Sequence, residues 1–320
     1  MARKPMAPVE MSLWRRTPPA VFPALLGLFG LGLGWRQGAV ALELPSEVAE
    51  LILGGVTLIF LFAFLAYLVK FFWRPPVAIE DLRVLPGRAG LAAMILCLYL
   101  LVLTLHPYIP NLLNLFYAAL IGHLLLVILL IWVFLSGPPE QRRVTPVWHL
   151  SFVGFIIGAL AAIKLNLGPL SLLLFAITVL MAAAIWAVSA ERLITERVPQ
   201  PLRPLLAIHL SPAALFGLVA QSQDLEVVAV GFACLSAALL AALVLHFRWL
   251  TVSGFSALWG AFTFPLAATA NLWLTLGGVW LYPGIAALLA ATVLVPWIAY
   301  RVLKLWLSGK LAVVTNAATA

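Results

Sequence analysis

Long apolar runs alternate with short polar breaks along almost the whole chain. Ten runs stand out, at about 19–41, 48–72, 89–106, 109–136, 146–165, 168–190, 204–222, 225–247, 252–276 and 281–306. Each approaches the roughly 20 residues that a helix needs to cross a bilayer core. None shows the in–out alternation of a membrane barrel, so helices are the remaining way to satisfy the backbone in lipid. The pattern predicts an all-α integral membrane protein with ten transmembrane helices. It divides into a loose polar tail at 1–18, a transmembrane domain at 19–306 and a second tail at 307–320.

The odd-numbered runs differ from the even ones. The first carries Gly27, Gly30 and Gly34 on one face, with Pro23 above them; the third has a thinner stripe with Ala93. The fifth repeats the pattern with Ser151, Gly154 and Gly158, and the seventh places His209, Ala213 and Gly217 on one face, with Pro212 inside it. The ninth, wound at 100° per residue, gathers Ala257, Gly260, Ala261, Ala268 and Asn271 on one side. A single ring, Phe264, interrupts that stripe next to Pro265, while Phe255, Trp259, Phe262, Leu266 and Trp273 point the other way. Even runs are mostly bulky. The alternation predicts five helical hairpins, with odd helices inside and even helices outside, around a narrow axial space. The ninth-run stripe fits close packing with Phe264 as a knob, or a conduit with Phe264 as a plug, and the alternation supplies a lumen for the plug to close. Pro23, Pro212 and Pro265 are the expected kinks, because a proline withholds a backbone donor.

Composition agrees: 64% of residues are hydrophobic and 9% charged, against roughly 25% charged in ordinary proteins. If both termini lie on one side, only Arg36 and Lys164 of the 19 Lys and Arg residues fall on the other. By the positive-inside rule both termini are expected to be cytoplasmic, and the expected location is the cytoplasmic (inner) membrane. Topology thus accounts for the net charge of +8 without a nucleic-acid partner. Arg36 and Lys164 are candidates for a positive outer vestibule, or else residues snorkelling to the interface.

No phosphate loop, HExxH pair or Cys/His cluster is present. The two cysteines, Cys97 and Cys234, sit inside apolar runs and suggest neither a disulfide nor a metal. An enzyme is therefore not expected, nor any cofactor. His209 is the best candidate for proton coupling. His123, on an outer helix, is expected to hydrogen-bond between helices or protomers, and His149 lies near the cytoplasmic mouth.

Several of these residues resemble a known pattern. Phe22 precedes a Gly-rich first run ending in Trp35, and Pro146 stands before the fifth run. Leu210-Ser211-Pro212 lies in the seventh run and Trp259 to Pro265 (WGAFTFP) in the ninth; Tyr300 to Lys304 and Gly309-Lys310 close the match. Over residues 17–310 the chain resembles the tellurite-resistance/dicarboxylate transporter family, which includes bacterial TehA proteins and plant slow anion channels. That resemblance implies five hairpins, a pore through each protomer of a homotrimer, and occlusion of the pore by Phe264. Two positions depart from the pattern: Leu25 and Ser151 stand where prolines are expected. The resulting expectation is a gated channel for small inorganic or organic anions. The alternatives are a secondary carrier of C4-dicarboxylate, sulfite or tellurite-like oxyanions, possibly proton-coupled, and a membrane scaffold that transports nothing.

Overall fold

A computed structural model describes residues 13–320; Arg3, Lys4 and most of the expected amino-terminal tail lie outside the described residues. The helices are α1 (Phe22–Ala41), α2 (Glu47–Trp73), α3 (Val77–Arg83), α4 (Leu85–Leu105), α5 (Leu113–Ser136), α6 (Phe155–Lys164) and α7 (Gly168–Thr195). Then follow α8 (Leu210–Ser222), α9 (Glu226–Leu245), α10 (Phe247–Leu250), α11 (Thr263–Leu276), α12 (Leu281–Leu307) and α13 (Lys310–Val314). There is no strand among the described residues. Eight helical segments are long and apolar enough to cross a membrane. The fifth and ninth runs hold the shorter α-helices, α6 and α11, preceded by a π turn at His149–Val153 and a 3₁₀ segment at Ala257–Phe262.

The runs sort by burial as the small-residue stripes predict. The first, third and seventh spans are 72–83% buried, whereas the second, fourth, sixth, eighth and tenth are only 17–33% buried. Packing explains the division. α1 touches α4, α4 touches α6, α6 touches α8, α8 touches α11, and α11 returns to α1. Each of these also packs against its successor: α1 on α2, α4 on α5, α6 on α7, α8 on α9 and α11 on α12. Small residues permit the closest approaches. A Cβ on Gly27 would collide with Thr263, and one on Gly217 would lie 2.6 Å from Leu272.

The tails pack more firmly than their polarity suggests. Lys70 and Asp81 form a fully buried ion pair at 3.2 Å. Lys70 also donates to the Thr17 carbonyl at 3.1 Å, and Tyr67 donates to Asp81 at 2.9 Å. The other Asp81 oxygen accepts the Ala318 backbone N–H at 2.8 Å. Ala320 N–H reaches the Arg15 carbonyl, so the described amino-terminal end and the carboxyl terminus meet on one face. At the opposite end Arg36 grips Glu50 through two hydrogen bonds of 2.7 and 2.8 Å. That pairing neutralises Arg36, and a positive outer vestibule would retain only the exposed Lys164.

Candidate functional site

The site grows from the irregular starts of the odd runs. α8 is preceded by a 3₁₀ segment, Gln200–His209, and α11 by Ala257–Phe262; α6 follows the π turn and α1 the short 3₁₀ turn Pro19–Val21. Prolines account for two of these changes. Pro265 has no N–H for the carbonyl of Ala261, and Pro212 none for that of Ile208. Pro23 sits in the first turn of α1, where a proline is tolerated and does not kink the helix. Ser151 lies within the π turn, so the fifth run changes helix type without the proline expected there.

One cleft of about 520 Å³ is lined by residues from all five odd runs and by none from the even runs. Pro23, Ala257, Gly260, Ala261, Phe264 and Pro265, all read from the sequence, come together there. Phe264 also lines a smaller cavity beside Gly154 and Pro212. Leu150, Ile208 and Ser211 line both spaces with it; Phe264 is the one aromatic ring common to the two linings, and it is 5% exposed. Phe262, two residues earlier, faces a different groove toward α9 and α12.

The position of Phe264 is fixed by its neighbours. The Thr263 hydroxyl donates to the Gly260 carbonyl at 2.7 Å and to the Pro23 carbonyl at 3.2 Å, tying α11 to the start of α1. The ring then lies on Gly30, whose missing Cβ would stand 2.9 Å from Phe264 Cδ2. Gly27, Gly30 and Gly34 thus form a seam against Thr263, Phe264 and Ala267 and line neither cavity. Gly158 packs against Tyr99 and Gly217 against Leu272. Ala93, Ala213 and Ala268 are buried outside both cavities, and Asn271 is half-buried one turn beyond Ala267.

Several lining residues escaped a wheel drawn at 100°. Leu205, Ile208 and Ser211 line the cleft unforeseen, and Leu258 joins the expected Ala261 and Phe264 there. Both sets are spaced by three, the repeat on which 3₁₀ side chains eclipse. The same change of winding turns His209 away from the cleft. Its Nδ1 instead meets His149 Nε2 at 2.9 Å, leaving His149 Nδ1 and His209 Nε2 buried without hydrogen-bond partners. His123 is pinned within the protomer: its Nε2 meets the Ser151 carbonyl at 2.9 Å and its ring stacks on Phe155 at 3.7 Å. It thereby holds the π turn that starts the fifth run.

Chemically, both cavities are lined by apolar side chains, a serine hydroxyl, one histidine and backbone; neither contains an ionised side chain. The fifth, seventh and ninth runs all change winding beside Phe264: to α6 after Gly154, to α8 at Leu210 and to α11 at Thr263. Helix N-termini carry partial positive charge, roughly half an elementary charge each. No group of three or more metal-ligating side chains occurs among the described residues. The chain belongs to the SLAC1 family of voltage-dependent anion channels, whose model matches residues 16–305. No curated protein matches it.

Proposed function

We propose that the chain is a gated anion channel in which the axial cleft is the inner half of a pore and Phe264 is its closure. The observation that carries this reading is the one aromatic ring common to the linings of two cavities framed by the odd helices. Ten transmembrane helices in five hairpins account for the neighbour contacts, with the two short odd helices completing the ring. Selectivity comes from the N-termini of α6, α8 and α11 and from carbonyls released at the prolines, without a fixed cation that would hold an anion too tightly. The charge asymmetry of the loops supports cytoplasmic termini, and an inner-membrane location goes with that reading. The family resemblance adds a homotrimer with one pore per protomer. The protein on this reading is a transporter of small inorganic or organic anions and not an enzyme. Voltage-driven flux in reconstituted vesicles tests it: a channel passes chloride or nitrate passively with little saturation, and a protein that passes nothing refutes it.

The His149–His209 pair favours a second reading, a proton-coupled carrier of dicarboxylate, sulfite or tellurite-like oxyanions. Two buried imidazoles sharing one hydrogen bond, with two free ring nitrogens, can exchange a proton. A carrier saturates and responds to a pH gradient, and His209→Gln abolishes that response. A gradient response unchanged in the variant excludes this pair from coupling.

A further inference from the structure

On the face where the chain ends meet, two clefts open side by side, the first sharing Leu205 with the axial cleft. The first, about 840 Å³, lies between the segment before the π turn, the end of α7 and the 3₁₀ segment ahead of α8. Three arginines, Arg143, Arg192 and Arg197, line it against one carboxylate, Glu196. Arg143 pairs with Glu196, and Arg192 donates to the Val144 carbonyl at 2.7 Å. Arg197 is exposed and belongs to no ion pair among the described residues. Two further polar atoms on this lining, Thr145 Oγ1 and His209 Nε2, are buried without partners, and His209 is only 8% exposed.

The second cleft, about 980 Å³, is an apolar trough between the seventh and eighth runs, walled by Leu239, Ala242, Leu243 and Trp249. Leu193, Leu206 and His209 line both clefts, so basic space and trough are continuous. From Leu239 to His246 the trough follows α9 for roughly 10 Å at 1.5 Å per residue, the length of several methylene groups.

We propose that the joined clefts bind an anionic phospholipid, its phosphate among the arginines and one acyl chain along the trough. Guanidinium groups suit phosphate by charge and by their forked donors. The partnerless Thr145 hydroxyl and His209 nitrogen supply further hydrogen bonds at the junction. An unpaired cation above an apolar trough matches a lipid in both charge and shape, whereas a soluble anion would leave the trough empty. The inference needs only that the protein resides in a membrane; it stands whether or not Phe264 closes a pore.

Native mass spectrometry of delipidated protein in detergent, titrated with dioleoylphosphatidylglycerol, tests it. One saturable site per protomer is expected, with dioleoylphosphatidylcholine binding more weakly. Arg197→Gln should weaken phosphatidylglycerol binding about fivefold, the effect of one basic residue near an anionic headgroup, and adding Arg143→Gln should weaken it further. Ala242→Trp, which fills the trough, should weaken it as well. Arg83→Gln, exposed on another part of the same face, should leave it unchanged. Displacement of the lipid by equimolar glycerol phosphate would show a site for free phosphate and overturn the proposal. Binding equal in all variants, or no saturable binding, would overturn it too. Arg197 and Ala242 are both exposed, and thermal midpoints equal to the parent's ensure that losses reflect the site.

Discussion

Gly30→Ala is the sharpest probe of how the Phe264 ring is held. The added Cβ would stand 2.9 Å from Cδ2 and 3.2 Å from Cε2 of that ring, and 3.3 Å from the Ala267 Cβ. Carbon atoms rest at about 3.5–4.0 Å, so the ring must retreat by roughly 0.6–1.1 Å. Overfilling a packed site in this way costs about 1–3 kcal/mol. At about 2–4 °C per kcal/mol, the thermal midpoint of the purified protein should fall by several degrees. In a Phe264→Ala background the ring is gone and only the Ala267 contact remains, so the same substitution should cost little. The coupling in this double-mutant cycle is expected to be about 1 kcal/mol or more. The retreat carries the ring away from α1 and toward the cavity beside α6 and α8, so Gly30→Ala alone should not increase anion flux. Equal destabilisation in both backgrounds would refute the assigned packing, and a large flux increase from Gly30→Ala alone would refute its direction.

Other substitutions separate structural roles from functional ones. His123→Phe keeps a ring on Phe155 but leaves the buried Ser151 carbonyl without its partner; it should cost about 1–3 kcal/mol, read as a lower thermal midpoint. Asp81→Asn leaves Lys70 charged and buried with both tails docked around it, and should cost about 3–5 kcal/mol. Replacing both partners with apolar residues should cost less than Asp81→Asn, and a larger loss would contradict this account of the pair.

Much of this architecture was legible because burial on one face leaves a periodic record. The stripes of Gly27, Gly30 and Gly34, or of Gly154 and Gly158, marked the helices that pack inward. The bulky even runs marked those turned outward. The WGAFTFP segment also separated Phe264 from Phe262, which face different spaces. What the stripes meant was less legible. Smallness alone does not distinguish a seam between two backbones from a wall facing empty space, and the first-run glycines form the former. The lining set was also partly hidden, because a 100° wheel misassigns a 3₁₀ segment. It put His209 where Ile208 and Ser211 stand. The His149–His209 contact and the Lys70–Asp81 cluster join residues 60 and 11 positions apart across different elements, which no local pattern records.

If the Phe264 ring blocks a conduction path, Phe264→Ala should open it, and anion flux reads that opening. Parent and variant would be reconstituted at equal, verified density in vesicles, with chloride or nitrate driven by a voltage. Removing the ring should lower the barrier enough to raise flux about tenfold or more, equivalent to ~1.4 kcal/mol, while the fold persists. Flux equal to the parent's in a variant that is folded and correctly assembled would contradict the account and leave Phe264 as a packing residue.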